Sequence, residues 1–253
     1  MEISIPPDNR RRIGEVQWPR RLPANPATDF AIVKADRLSI DQSRGWMHEN
    51  LGPSRHVMVF VHGFNNRFED SVYRYAQIVH DSQSQVTPVL FTWPSRASVF
   101  GYNYDKESTN FSRDSLEQLM KALSNDRYVG EITIMAHSMG TWLAVEALRQ
   151  MAIRDGRIAP KIKNVILASP DIDIDVFRKQ WIQFGAYRPK FTVFVSTDDK
   201  ALAVSRIISG NRGRLGAINP AEEPYRTEFE LAGIDVYDLT GQGSADFLNH
   251  SRF

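Results

Sequence analysis

In Ala136-His137-Ser138-Met139-Gly140 a serine stands where an apolar run ends and helix-like sequence begins. A strand that turns sharply into a helix holds a serine Oγ clear of the backbone. The crowding at such a turn calls for small residues two before and two after the serine. Gly-x-Ser-x-Gly is the usual form, and Ala136 is a sterically mild departure from it. The helix starting near Met139 would aim its first amides at the space above the serine, where an acyl-transfer oxyanion forms. The same residues also suit a buried strand followed by a serine N-cap, so the reading depends on its surroundings.

A serine hydroxyl needs a base to take its proton. The chain has six histidines. His48 and His56 precede the main run of strands, His80 closes a helical stretch, and His137 neighbours the serine but points away from it. His62 belongs to "VFVHGF", whose Gly63 permits a turn and whose Phe64 N–H, with the Met139 N–H, could bind an oxyanion. His250 alone follows the last expected strand, where the base belongs when the chain order is Ser, Asp, His. The acid that orients it is sought in "STDDKAL", which ends a strand. Asp199 fits the spacing best, with Asp198 left to cap the next helix. Asp198 itself and Asp171, after the preceding strand, are the alternatives. Trp93, Tyr102 and Tyr104, from the loop after "LFTWPS", are the candidate lining of an acyl pocket.

These residues must be positioned by a sheet. Five short apolar runs, Val57–Phe64, Thr87–Trp93, Glu131–Ser138, Asn164–Pro170 and Phe191–Thr197, alternate with helical patterns near 69–80, 112–123, 142–153, 175–184 and 201–208. A more polar run, Ile234–Thr240, reads as an edge strand. Continuous apolar strands separated by helices predict a mostly parallel sheet with helices on both faces. Residues 1–54 are rich in Pro, Arg and Asn and predict a loop-rich leader, with a strand or two, packed on a single domain over 1–253. No large cap domain is expected.

Composition narrows the function. The 253 residues carry 31 basic and 30 acidic side chains, a net charge of +1, which gives no global reason to expect nucleic acid or an anionic membrane as a partner. There is no cysteine, so thiol nucleophiles, disulfides and zinc–thiolate sites are excluded. No apolar run reaches the ~20 residues of a membrane span, and "MEISIPPDNRRR" lacks a signal-peptide core. "DIDID" (Asp171, Asp173, Asp175) has Val176 and Ile182 where a calcium loop needs Gly and Glu, and reads as a polar loop with a helix cap. The triad chemistry calls for no cofactor and no metal.

The chain resembles the α/β-hydrolases, and more narrowly a bacterial family of uncharacterised serine hydrolases long catalogued as a domain of unknown function. The matching pieces are "ISIPPDNRRRIGEVQWP", "VFVHGFNNRFEDSVYRYAQI", "LFTWPSRASVFGYNYDKES", "AHSMGTWLAVEAL", "LASPDIDIDVF", "STDDKAL" and "LNHSRF". The resemblance implies an α/β-hydrolase fold, Ser138, Asp199 and His250 as the triad, and an esterase-like reaction on a small acyl ester. Thioesterase, amidase or acyltransferase chemistry on the same residues, and a non-catalytic binding module, are the competing readings. An open, shallow site is expected, with short or medium acyl chains preferred. The oligomeric state stays open. The sequence as given implies a cytoplasmic location, although family members often carry an export or lipoprotein signal before the "SIP" segment. Phe253, with Phe247 and Leu248, is expected to anchor the segment that carries His250.

Overall fold

The chain begins with β1 (Glu2–Ser4) and β2 (Ala31–Lys34), an antiparallel pair, and α1 (Ile40–Asn50). Strands and helices then alternate: β3 (His56–Val61), α2 (Phe68–Asp81), β4 (Thr87–Phe91), α3 (Tyr102–Asn125), β5 (Glu131–His137), α4 (Met139–Asp155), β6 (Ile162–Ala168), α5 (Ile174–Gln183), β7 (Lys190–Val195) and α6 (Lys200–Ile208). After them come α7 (Tyr225–Ala232) and β8 (Asp235–Asp238). This computed structural model describes residues 1–210, 212–243, 248 and 250.

The six strands β3–β8 form one sheet in the order β4-β3-β5-β6-β7-β8, every neighbouring pair parallel. The period-two alternation of a strand explains how it is covered. Val57, Val59 and Val61 of β3 join a buried cluster with Leu116 and Met120 of α3 and Leu143 and Leu148 of α4. Met58 and Phe60, pointing the other way, pack with Tyr75 and Ile78 of α2. Both faces are dry, so the strands read as unbroken apolar runs. Register then gathers the strand ends: Val61 lies beside Ala136, His137 beside Ala168, and Ala168 beside Phe194. The loops that follow β3, β5, β6 and β7 therefore emerge together at the carboxyl edge, where α/β sheets bind ligands.

Three helices depart from the periodicity reading. α3 begins at Tyr102, well before the expected Ser112, because its early buried positions are Asp105, Ser108 and Thr109. α1 lies within the leader and buries only Met47, so it has no apolar stripe; its signature is the Ser39–Gln42 capping box. α7 buries no residue at all.

The leader is fastened to α2. Phe30 packs on Val72 and Tyr73, joined by Ile3, Ile5, Val16 and Ile32. The buried guanidinium of Arg11 bonds both Asp8 and Asp81, and the Gly14 N–H donates to Asp81 Oδ2 at 2.7 Å. Burial alone would raise the Asp81 carboxyl, but hydrogen bonds from Arg11, Gly14 and Gln77 outweigh it and hold the pKa at about 2. A carboxylate depressed in this way stabilises the fold above its unfolded pKa of about 3.9, and that stabilisation is lost as pH falls towards 2. Asp81→Asn should therefore lower the Tm by several degrees near neutral pH. The gap between the two proteins should close as thermal melts are repeated at pH values below about 4.

Candidate active site

Ser138 has φ 53° and ψ −126°, a left-handed conformation that a side chain rarely adopts. The turn is held by three bonds to its carbonyl: Thr141 N–H at 3.0 Å, Thr141 Oγ at 2.6 Å and Asp171 N–H at 3.3 Å. Two glycines make room. A Cβ at Gly140 would overlap the His62 carbonyl oxygen and come within 2.7 Å of that of Val61. A Cβ at Gly63 would lie 2.9 Å from Ser138 Cβ and 3.0 Å from His137 Nδ1. The first turn of α4 and the loop after β3 thus meet directly over the serine.

That loop is clamped from two sides. His62 is buried, donates from Nδ1 to the Gly63 carbonyl at 2.9 Å and accepts the Trp93 N–H on Nε2 at 3.2 Å. The Trp93 indole N–H returns a bond to the His62 carbonyl at 2.9 Å, and the two rings stack at 4.8 Å. Only a neutral imidazole can make this pattern, and burial pushes the His62 pKa down accordingly. The second clamp is Asp105, wholly buried, which accepts from Ser95 Oγ at 2.6 Å, Arg96 N–H at 2.8 Å and Asn65 N–H at 3.3 Å. One carboxylate thereby joins the loop after β3 to the loop after β4. Sequence reasoning missed Asp105. Its only signal is its place at helical spacing from Tyr102 and Ser108, in a stripe that hydropathy reads as solvent-facing.

The three aromatics lie in different settings. Trp93 is buried in the His62 clamp. Tyr102 is buried edge-on to Phe64 at 5.5 Å, with its hydroxyl between Asp171 Oδ2 and Ser205 Oγ, each at 3.0 Å. Burial and then Asp171 push its phenol up. Tyr104 is exposed under the Arg96 guanidinium, 4.3 Å from its ring.

The three acids divide as follows. Asp171 is buried among Tyr102, Ser205 (2.6 Å) and Arg214 (3.2 Å). Asp198 accepts from Ser196 Oγ at 2.5 Å. Asp199 accepts the Leu202 N–H on Oδ1 at 3.0 Å and faces His250 Nδ1 with Oδ2 at 2.7 Å. The expected division, with Asp198 as the helix cap, does not occur. The two oxygens of Asp199 serve both purposes, because the cap position is also the end of the turn that meets residue 250.

The His250 backbone is held as well. Its carbonyl accepts from His137 Nε2 at 3.2 Å and Ser169 Oγ at 3.3 Å, and the Leu248 carbonyl accepts the Lys200 N–H at 2.9 Å. The His137 and His250 rings lie 4.7 Å apart. Burial, and then the neighbouring His250, hold the His137 pKa well below its ordinary value. Of the expected anchors, Leu248 contributes through its backbone, while Phe247 and Phe253 lie outside the described residues.

Among the described residues one group has metal-ligand spacing, Asp8, His80 and Asp81, but Arg11 already bonds both of those carboxylates. In "DIDID", Asp173 caps α5 through the Asp175 and Val176 amides. No helix among the described residues is long and apolar enough to cross a membrane.

The family described as alpha/beta hydrolase of unknown function (DUF900) matches residues 39–253. An uncharacterised protein of Nostoc sp. is 23% identical over 138 residues, 44% of this chain and 36% of that protein. An uncharacterised Bacillus cereus protein of known structure superposes with a TM-score of 0.50 at 14% identity, over 85% of this chain and 59% of its own. This chain therefore spans little more than a third of the Nostoc protein's length and under two thirds of the Bacillus chain. A lipase-esterase related protein from Clostridium acetobutylicum matches at a TM-score of 0.36 and 12% identity, over 74% of this chain and 86% of its own.

The Asp105 clamp generates a test. Asp105→Ala leaves the Ser95 hydroxyl and the Arg96 and Asn65 N–H groups without their buried acceptor. A hydrogen bond of this kind contributes about 0.5–1.5 kcal/mol net, so the loss of three should show in urea unfolding as roughly 2–4 kcal/mol with an unchanged m-value.

Proposed function

The chain belongs to the α/β-hydrolase family of unknown function DUF900, and on that premise we propose that it is a serine hydrolase of carboxylic esters acting through an acyl-enzyme. Ser138 Oγ attacks the acyl carbon and His250 Nε2 receives its proton. Asp199 accepts the Nδ1–H, fixes the imidazole's orientation and stabilises the imidazolium that forms. The N–H groups of Met139 and Phe64 bind the oxyanion. His250 returns its proton to the leaving alcohol, and water then releases the acyl group by the same steps. The observation that carries this reading is the 2.7 Å pairing of His250 Nδ1 with Asp199 beside a serine held at φ 53°.

Acyl binding is assigned to Trp93, Tyr102 and Tyr104. The edge-on contact of Tyr102 with Phe64 supports this, since it brings an aromatic face to the oxyanion loop. The Tyr102 hydroxyl is already engaged, so its ring is the surface offered. The open, shallow site inferred from the sequence favours short or medium acyl chains. A series of p-nitrophenyl esters of graded length, run beside thioesters and amides, tests the substrate class. Amide or thioester turnover exceeding that of every ester would replace the ester assignment.

Ser138→Ala should lower kcat by at least about 10³-fold and abolish labelling by a fluorophosphonate, with the Tm retained. Activity above a few per cent of wild type would remove Ser138 from the nucleophile role.

His137 serves as a positioning residue in this reading. A carbonyl can only accept, so His137 Nε2 must donate to it, which fixes the backbone behind the base. Losing one such bond costs about 1–1.5 kcal/mol. His137→Phe should thus lower kcat about tenfold with KM unchanged. His137→Gln, whose amide can reach the same carbonyl, should recover most of the loss. A kcat that falls equally in both variants would assign His137 a packing role only.

A further inference from the structure

Helix α6 is turned the wrong way for a helix facing water. Its buried residues are Leu202 and Ser205. At 100° per residue the opposite face carries Ala203, Val204, Ile207 and Ile208, all exposed, with Ile207 at 70%. A surface helix ordinarily buries its apolar stripe and shows its polar one. A second apolar group is tied to α6 through Tyr102. The Ser205 hydroxyl, on the inner face of α6, meets the Tyr102 hydroxyl at the start of α3. Just before Tyr102 come Val99 and Phe100, and Phe100 is 96% exposed. Single exposed apolar residues are ordinary; a whole helix face with a neighbouring Val-Phe pair marks a contact surface.

The exposed charges within the segments that carry this surface are basic. Residues 82–104 hold Arg96 and no acid, and residues 200–221 hold Lys200, Arg206 and Arg212 and no acid, besides Arg214, which is buried against Asp171. Arg96, Arg206 and Arg212 are exposed. We propose that the apolar face of α6, with Val99 and Phe100, docks this protein on an anionic lipid surface. Branched and aromatic side chains would enter the boundary between headgroups and acyl chains while the arginines meet lipid phosphates, as at amphipathic interfacial helices. A second copy is the weaker occupant. A two-fold contact sets a surface against itself, and here that would face arginines with arginines and supply no acid. α6 starts directly after Asp199, so docking turns the carboxyl edge of the sheet towards the lipid. The substrate class this favours is an amphiphilic acyl ester drawn from that surface. That last step rests on the ester reading; the docking itself does not.

Co-sedimentation of the full chain with vesicles tests it without reading any catalysis. Partition into phosphatidylcholine–phosphatidylglycerol vesicles should exceed partition into pure phosphatidylcholine by at least about tenfold, and fall with added salt. The triple variant Phe100→Ser, Ile207→Ser, Ile208→Ser should lose about tenfold or more of that binding, while its Tm and its hydrolysis of a soluble short-chain ester stay at wild-type values. Should the triple variant fail to fold, Arg206→Glu with Arg212→Glu must show the same loss. Ser138→Ala should bind as wild type does, so a failed triad assignment would leave this result standing. Wild-type protein that stays in the supernatant with both vesicle types overturns the proposal. So does a folded variant that binds undiminished, or a wild-type dimer in sedimentation equilibrium that the triple variant dissociates.

Discussion

The close approach of the first turn of α4 to the end of β3 is the constraint on which the site depends. Gly140 packs where a Cβ would overlap the His62 carbonyl oxygen, and Gly63 packs against Ser138. Without those two gaps the helix could not start directly above the strand ends, and the serine would not be forced to φ 53°. The strain there is offset by the surrounding bonds. Three hydrogen bonds to the Ser138 carbonyl, one of them from the Asp171 amide, leave the turn little freedom. Backbone strain of this kind costs of order 1–3 kcal/mol and persists only where the surroundings over-determine it.

A polar shell rather than an apolar one supplies that over-determination. Asp105 gathers groups from two loops, His62 holds the Gly63 carbonyl on Nδ1 and the Trp93 N–H on Nε2, and Asp171 gathers Tyr102, Ser205 and Arg214. Such groups have definite numbers of donors and acceptors, so they specify one arrangement where apolar packing would tolerate several. They also bring a condition. His62 and His137 are both pushed towards the neutral form by burial. A histidine whose folded pKa is depressed supports the fold above its unfolded value of about 6.5 and withdraws that support as pH falls below it.

This division explains what the sequence reveals. The strands and α4 are legible because a parallel sheet covered on both faces demands unbroken apolar runs, and β3, β5, β6 and β7 all have them. Ser138 is legible because the turn restricts its neighbours to small residues. The first half of α3 is hidden, since its inward residues Asp105, Ser108 and Thr109 face the polar shell and mimic a solvated surface. α1 and α7 are hidden for the complementary reason, burying one residue and none. The pair Asp198-Asp199 is only half legible. Spacing selects Asp199 for the base, but nothing in the sequence says that the same carboxylate also caps α6.

That double use has a mechanical consequence. A carboxylate fixed by one oxygen to the Leu202 amide cannot swing, so its other oxygen defines where an imidazole must come. The helix N-terminus also favours the negative charge that an imidazolium at His250 would face. Position 250 has to match this fixed point. The bonds from His137 and Ser169 to the His250 carbonyl, and from Lys200 to Leu248, supply the match through backbone groups. Lys200 opens α6, so the helix that Asp199 caps also holds the Leu248 carbonyl, two positions before the ring that Asp199 faces.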